Sequence, residues 1–268
     1  MAPYPKSSHL KDTEIRRMVG SAIFVELCLS KRNSWDGIKI NDSNAINEQD
    51  IGDFSGQHRK MLHGVIPSEC KCNNLRKRLD IRNPIYWRNH PYWKLLCNEL
   101  SLKDIGVSLR SIQGRVQQLI DNKYPEANPE DWRIKALNDE YTLRKIAKYS
   151  NFKALTILTA MAQESKTLYT SSPLPLGAYY TRQIFAHAVC NTPQLFVRWP
   201  LLALRYKTSI WSFPENREGN LWFSLKWDSL LEEINGAEFI ARKKGIQLPP
   251  KHLMRRINKT QLHTIYNQ

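Results

Sequence analysis

The sequence predicts a mostly α protein of many helices with helix-turn-helix elements and one minor β hairpin. A helical spacing of apolar residues recurs along the chain, most clearly over residues 12–28, 94–121 and 132–163. A hairpin is indicated over residues 209–225, where two aromatic-rich runs flank the segment Pro-Glu-Asn-Arg-Glu-Gly-Asn. Pro173, Pro175 and Gly177 mark a boundary, so the chain is expected to form two loosely defined halves, residues 1–172 and 173–268.

The first helix is expected between Asp12 and Cys28, with Asp12 or Thr13 as its cap. Its apolar residues follow the spacing of an amphipathic helix, and they are Ile15, Met18, Val19, Ile23 and Leu27. A stretch rich in Asn, Asp, Ser and Gly follows over residues 31–56, which predicts a loop.

Residues 57–94 combine nine Lys and Arg residues with only two acidic ones, and aromatic residues are interleaved among them. These aromatic residues are Tyr86, Trp87, Tyr92 and Trp93. Basic and aromatic side chains together suit a phosphate backbone and base stacking. The alternative is that the aromatic rings are core anchors and the basic residues lie on the opposite face.

The remaining elements are helices separated by proline-containing connections. A helical block is expected over residues 132–163 with a break at Thr142, followed by buried helices at Ala178–Val189 and Leu195–Tyr206. A short acidic helix is expected at Asp228–Ile234, and the tail from Phe239 contains no acidic residue at all.

The charge of the chain limits the classes of partner. The chain has 40 Lys and Arg residues against 25 Asp and Glu residues, a formal net charge of +15. Self-repulsion at this charge opposes a compact fold, so a polyanionic partner is the simplest explanation, and nucleic acid fits better than a membrane surface.

No stretch approaches the about 18 apolar residues of a transmembrane helix, and the first residues lack the apolar run of a secretory signal. An odd number of cysteines, five, does not suggest a disulfide framework. A cytoplasmic protein is therefore expected.

Residues 100–121, with the sequence LSLKDIGVSLRSIQGRVQQLID, form the first candidate DNA-reading element. Gly106 supplies the positive φ of a tight turn, and Ser108 caps the helix that follows. That helix holds itself on the core through Ile112, Val116, Leu119 and Ile120.

Arg and Gln side chains make bidentate contacts to guanine and adenine in the major groove. The side chains predicted to face DNA are Ser108, Leu109, Arg110, Gln113 and Gln117. The run GVSLRSIQGRV resembles the turn and recognition helix of the helix-turn-helix superfamily, which implies binding to double-stranded DNA.

Residues 142–164 form a second candidate of the same kind. Thr142 is expected to cap the first helix, and Asn151 to adopt the positive φ of the turn. Lys153, Thr156 and Thr159 are expected to face outward, with Lys153 and Thr156 as the DNA contacts. An ordinary helix hairpin is the alternative.

These features predict a non-enzymatic, sequence-preferring DNA-binding protein. It would be a transcriptional regulator or the DNA-recognition subunit of a bacterial mobile element or defence system. Contacts to phosphates are expected from the basic tail, at Arg242, Lys243, Lys244, Arg255 and Arg256.

The alternative is a basic subunit of an RNA-containing assembly with protein partners. A nuclease is less favoured, because the acidic clusters at residues 48–53 and 126–131 have the composition of surface loops, and no Gly-rich phosphate loop is present. We predict no catalytic residue and no cofactor.

Two His and two Cys residues near the start of the basic segment form a candidate zinc site. His58, His63, Cys70 and Cys72 lie within fifteen residues, and two His with two Cys can ligate zinc. The Cys-x-Cys spacing is tighter than the usual Cys-x2-Cys, so we predict packed thiols and solvated histidines, without metal.

Overall fold

The computed structural model describes residues 12–29, 60–79, 84–97, 139–168, 176–211 and 227–266. Within these ranges the chain forms twelve α-helices with defined bounds, a further helical stretch at residues 60–62, and no strand. They are α1 Thr13–Cys28, α2 Glu69–Leu79, α3 Pro84–Asn89, α4 Pro91–Leu96, α5 Glu140–Ala147, α6 Phe152–Leu168, α7 Leu176–Cys190, α8 Pro193–Phe196, α9 Trp199–Ser209, α10 Trp227–Lys243, α11 Lys251–Ile257 and α12 Lys259–Tyr266.

The mostly α prediction is confirmed, whereas the hairpin finds no support. Its first residue, Ser209, is the last residue of α9, and residues 212–226 lie outside the described ranges. The predicted helix at Leu195–Tyr206 is two helices, α8 and α9, because the chain turns at Val197 and Arg198. The predicted loop at 31–56 and the helical stretch after Cys97 also lie outside the described residues.

The helices group into two compact units, and neither unit is continuous in sequence. Unit 1 comprises Met1–His90, Pro193–Leu202 and Gly245–Gln268, and unit 2 comprises Pro91–Thr192 and Ala203–Lys244. This division differs from the predicted boundary near residue 172. The helices on either side of that boundary, α6 and α7, pack against each other inside unit 2.

In unit 1, α1 packs against α3 and α8. Asp12 begins α1, since its side chain accepts hydrogen bonds from the backbone N–H groups of Glu14 at 2.8 Å and Ile15 at 3.2 Å. The apolar residues predicted for the inner face of α1 are all buried, as are residues beside them. The carboxylate of Glu26 joins the three helices, because it accepts hydrogen bonds from Trp87 in α3 at 3.0 Å and from Gln194 in α8 at 2.6 Å.

In unit 2, α6 is the central helix and packs against α4, α5 and α7. Its side chains from Ala154 to Gln163 are buried on every face, as expected of a helix in the core. The two threonines among them are accommodated because each hydroxyl donates to the carbonyl four residues before it, Thr156 to Phe152 at 2.8 Å and Thr159 to Leu155 at 2.7 Å.

A chain of buried hydroxyls links three helices of unit 2. The Tyr92 hydroxyl in α4 donates to the Tyr206 hydroxyl in α9 at 3.1 Å, and Tyr206 is hydrogen-bonded to Thr159 in α6. The Thr159 proton is already directed to the carbonyl of Leu155, so Tyr206 is the donor in its bond to Thr159. Burial raises the pKa of both tyrosines, and the hydroxyls therefore stay protonated.

Candidate nucleic-acid interface

The first predicted DNA-reading element lies outside the described residues. Its predicted contacts, from Ser108 to Gln117, all fall in the range 98–138. The base contacts assigned to Arg110, Gln113 and Gln117 therefore stay predictions from the sequence.

The second predicted element is a real pair of helices, α5 and α6, but its turn differs from the prediction. Asp139, not Thr142, caps α5, because its carboxylate accepts hydrogen bonds from the Thr142 backbone N–H at 3.2 Å and from the Thr142 hydroxyl at 2.7 Å. Ser150, not Asn151, has the positive φ, 42°. Asn151 instead caps α6, since its side-chain oxygen accepts from the Ala154 backbone N–H at 2.9 Å.

The predicted outward face of this element is mostly inside the protein. Thr156 and Thr159 are fully buried, and only Lys153 is exposed. A helix whose threonines bond to its own carbonyls and pack in a core cannot present them to a DNA groove. The prediction that Thr156 and Thr159 face outward is therefore wrong, and α5 with α6 is an ordinary helix hairpin.

The aromatic residues of the basic segment are core anchors in all cases but one. Trp87, Tyr92 and Trp93 are buried, and only Tyr86 is exposed, at 39% of its surface. Arg88 is also buried, and its Nε donates to the carbonyl of Pro67 at 2.9 Å. Stacking on nucleic-acid bases is thus not open to the three buried rings. The exposed basic side chains of the described part of the segment are Lys60, Lys71 and Arg76.

The basic tail, in contrast, has its Lys and Arg side chains exposed. Arg242 and Lys243 end α10 and Lys244 follows it, and all three are exposed. Arg242 is engaged, since its Nε donates to the Glu238 carboxylate at 2.8 Å. That ion pair consumes part of the positive charge at the end of α10.

The last two helices carry a longer row of cations, which we name the α11–α12 basic surface. Its exposed members are Lys251, His252, Arg255, Arg256, Lys259 and His263. Lys251 and Arg255 lie four positions apart on α11, or about 6 Å along its axis, and Lys259 is the first residue of α12. Within the described part of the chain, none of the four Lys and Arg side chains forms an ion pair with a carboxylate. Their charge is therefore available to an external anion.

The inner side of this surface is fixed to the rest of unit 1. Asn258, between α11 and α12, is fully buried, and its side-chain amide donates to the carbonyls of Val197 at 2.8 Å and Met254 at 3.0 Å. Met254 and Ile265 are also buried. The row of cations is thus presented by anchored helices and not by a loose tail.

The His and Cys residues of the candidate zinc site differ in their exposure to solvent. His63 and Cys70 are exposed, whereas Cys72 is buried and His58 lies outside the described residues. Burial raises the pKa of the Cys72 thiol to about 11, although Arg88 nearby acts in the opposite direction. Among the residues that the structure describes, no three His, Cys, Asp or Glu side chains come together as a metal site would need.

Comparison with known proteins gives no family for this chain. It matches no family model, no curated protein and no solved structure. Of the helices described here, none combines the length and the apolar character needed to cross a membrane.

Proposed function

We propose that this protein binds double-stranded DNA and holds its phosphate backbone with the α11–α12 basic surface. The observation that carries the proposal is the row of exposed Lys and Arg side chains without carboxylate partners in the described structure, on helices anchored by Asn258. Lys and Arg side chains that neutralise phosphates release counterions, and this supplies affinity without reading sequence. The net charge of +15 acts in the same direction.

Sequence preference would come from a different part of the chain. Contacts to the phosphate backbone of DNA fix the register of the protein on the duplex but carry no information about the bases. Of the two DNA contacts predicted in the second element, Lys153 is the one that is exposed. A preference would therefore depend on the helix predicted after Gly106. Its Arg and Gln side chains suit the major groove of B-form DNA, whereas the major groove of an RNA duplex is too deep and narrow to be read. This favours a regulator or DNA-recognition subunit over an RNA-assembly subunit.

The test compares two single charge removals in the same unit. Arg256→Gln removes a cation from the basic surface, and Arg16→Gln removes an exposed cation from α1. Binding of a labelled DNA duplex is measured by fluorescence anisotropy between about 50 and about 200 mM salt. We expect Arg256→Gln to reduce the log–log salt slope by about 0.9, the value for one phosphate contact on B-DNA, and Arg16→Gln to leave the slope unchanged.

Three outcomes would contradict the proposal. Equal effects of the two substitutions would mean that net charge alone attracts the duplex. No measurable duplex binding would remove the premise. Tighter binding to an RNA duplex, with the same dependence on Arg256, would favour the RNA-assembly alternative.

A further inference from the structure

A cleft of about 310 Å3 lies between α5 and α7 in unit 2. One wall is the face of α5 and its end that carries Arg144 and Lys148, and the other is the face of α7 that carries Tyr179 and Gln183. Ser150 lies at the end of the first wall. The volume is at the lower end of the range for small-ligand sites, so the cleft suits a ligand fragment and not a large molecule.

The cleft has a net positive charge. Arg144 and Lys148 are exposed and lie one helical turn apart, and Glu140 is the single carboxylate of the lining. Glu140 is engaged, since it pairs with Arg144 at 3.2 Å and accepts a hydrogen bond from the Tyr180 hydroxyl at 3.3 Å. The Tyr180 hydroxyl, followed by the Glu140 carboxylate, raises the pKa of Arg144. The Glu140 carboxylate holds the Arg144 guanidinium at the edge of the cleft.

An aromatic ring is held beside these cations. Tyr179 is half-buried, and its ring meets the buried Tyr180 ring edge-on, with centroids 5.2 Å apart and planes at 78°. The Tyr179 hydroxyl also accepts a hydrogen bond from the Gln183 amide. A braced tyrosine beside two cations is the combination that proteins use for one stacked base and its phosphate.

The backbone at the cleft is strained. Ser150 has a φ of 42°, a left-handed conformation that is unfavourable for a residue with a side chain. It is retained because the Ser150 hydroxyl donates to the Ala147 carbonyl at 3.0 Å and its own carbonyl accepts from the Asn191 amide at 3.4 Å. Strain of this kind concentrates at ligand sites.

We infer that this cleft binds one unpaired nucleotide, with its phosphate on Arg144 and Lys148 and its base against Tyr179. The Gln183 amide lies beside the ring, where it can donate to the edge of the base. The inference deepens the proposed nucleic-acid function and rests on it, because it adds a site for a single strand in unit 2 to a duplex-binding surface in unit 1.

The experiment measures the binding of AMP, ribose 5-phosphate and inorganic phosphate to the full chain. Each affinity is determined by NMR titration. We expect AMP to bind more tightly than ribose 5-phosphate, because stacking adds about 1–3 kcal/mol, or about fivefold to 150-fold in affinity. Tyr179→Ala should remove this difference and Tyr179→Phe should keep it. Arg144→Gln should weaken the binding of AMP and of ribose 5-phosphate by the same factor. Lys145 is the next residue but does not line the cleft, so Lys145→Gln should leave the binding of both ligands unchanged.

The outcomes separate this inference from the duplex proposal. Equal affinity for AMP and ribose 5-phosphate would leave an anion site without base stacking and would overturn the inference, as would an absence of AMP binding. Loss of AMP binding in both Tyr179 variants, with circular dichroism showing the native fold, would also overturn it. Duplex binding and its dependence on Arg256 are measured separately, so either proposal can fail while the other stands.

Discussion

Arg198 is a buried cation whose hydrogen bonds connect the separate chain segments of unit 1. It lies between α8 and α9 with 6% of its surface exposed. Its guanidinium donates from Nε to the Ser21 hydroxyl at 3.0 Å, from Nη1 to the Ile257 carbonyl at 2.6 Å, and from Nη2 to the Leu62 carbonyl at 2.6 Å. Burial, followed by repulsion from Arg17, lowers the pKa of Arg198 to about 10, so the side chain is still protonated at neutral pH.

Replacing Arg198 is expected to destabilise the protein, although it removes none of the exposed cations of the α11–α12 basic surface. Arg198→Met keeps the apolar stem but leaves two carbonyls and a hydroxyl without their donor, which should lower the free energy of unfolding by about 2–4 kcal/mol. Urea unfolding followed by circular dichroism measures the loss. Arg16→Met is the control, since an exposed substitution usually changes stability by less than about 0.5 kcal/mol. Equal unfolding midpoints for the two variants would show that the buried hydrogen bonds contribute nothing net.

At the scale of elements, the approach of α6 and α7 depends on one glycine. A Cβ atom added at Gly177 would lie 2.8 Å from the Ala162 backbone nitrogen and 3.2 Å from the Leu158 carbonyl oxygen. Backbone atoms in the middle of a helix cannot move aside as a flexible side chain can. Gly236 in α10 is the opposite case, because a Cβ added there meets nothing within 4 Å.

The two glycines therefore predict opposite results for the same substitution. Gly177→Ala should lower the free energy of unfolding by about 1–3 kcal/mol, because it overpacks a close helix contact. Gly236→Ala should raise it by about 0.5–1 kcal/mol, since alanine loses less conformational entropy in an exposed helix. Thermal and urea unfolding of both variants measure the difference. A gain of stability in Gly177→Ala would mean that α6 and α7 are farther apart than described.

At the scale of the whole molecule, the excess of positive charge is the dominant property. The chain has 15 more Lys and Arg than Asp and Glu residues, and residues 239–268 contain no acidic residue. A long-range field of this sign accelerates encounter with a polyanion, and salt screens it.

The whole protein should bind duplex DNA with a steep dependence on salt. At least about five phosphate contacts are expected, so the log–log slope of the binding constant against salt concentration should be about −4.5 or steeper. Anisotropy titrations of the unmodified chain at several salt concentrations give the slope. A flat profile from low to physiological ionic strength would mean that few phosphates are neutralised, in spite of the net charge.

The sequence predicted well wherever local chemistry decides the outcome. The Asp12 cap of α1, the inner-face residues Ile15 and Ile23, and the break between α7 and α8 follow from short-range spacing and from proline. The exposure of the basic tail has a local cause as well, because burying a charged side chain without a partner costs free energy. In these cases each residue responds mainly to its neighbours in the chain.

Only the tertiary structure decided which polar and aromatic residues are inside. The helix-turn-helix spacing placed Thr156 on the outward face, but a threonine hydroxyl can donate to a carbonyl of its own helix and so be buried in a core. Trp93 looked suited to stacking, but its position in α4, a helix that packs against α6, buries it. The cleft that joins Arg144 to Tyr179 was not predicted at all, since these residues are far apart in sequence and meet only because α5 packs against α7. The sequence determined the local elements and the charge of this protein, whereas contacts between distant segments, which no local spacing records, determined its core and the composition of its cleft.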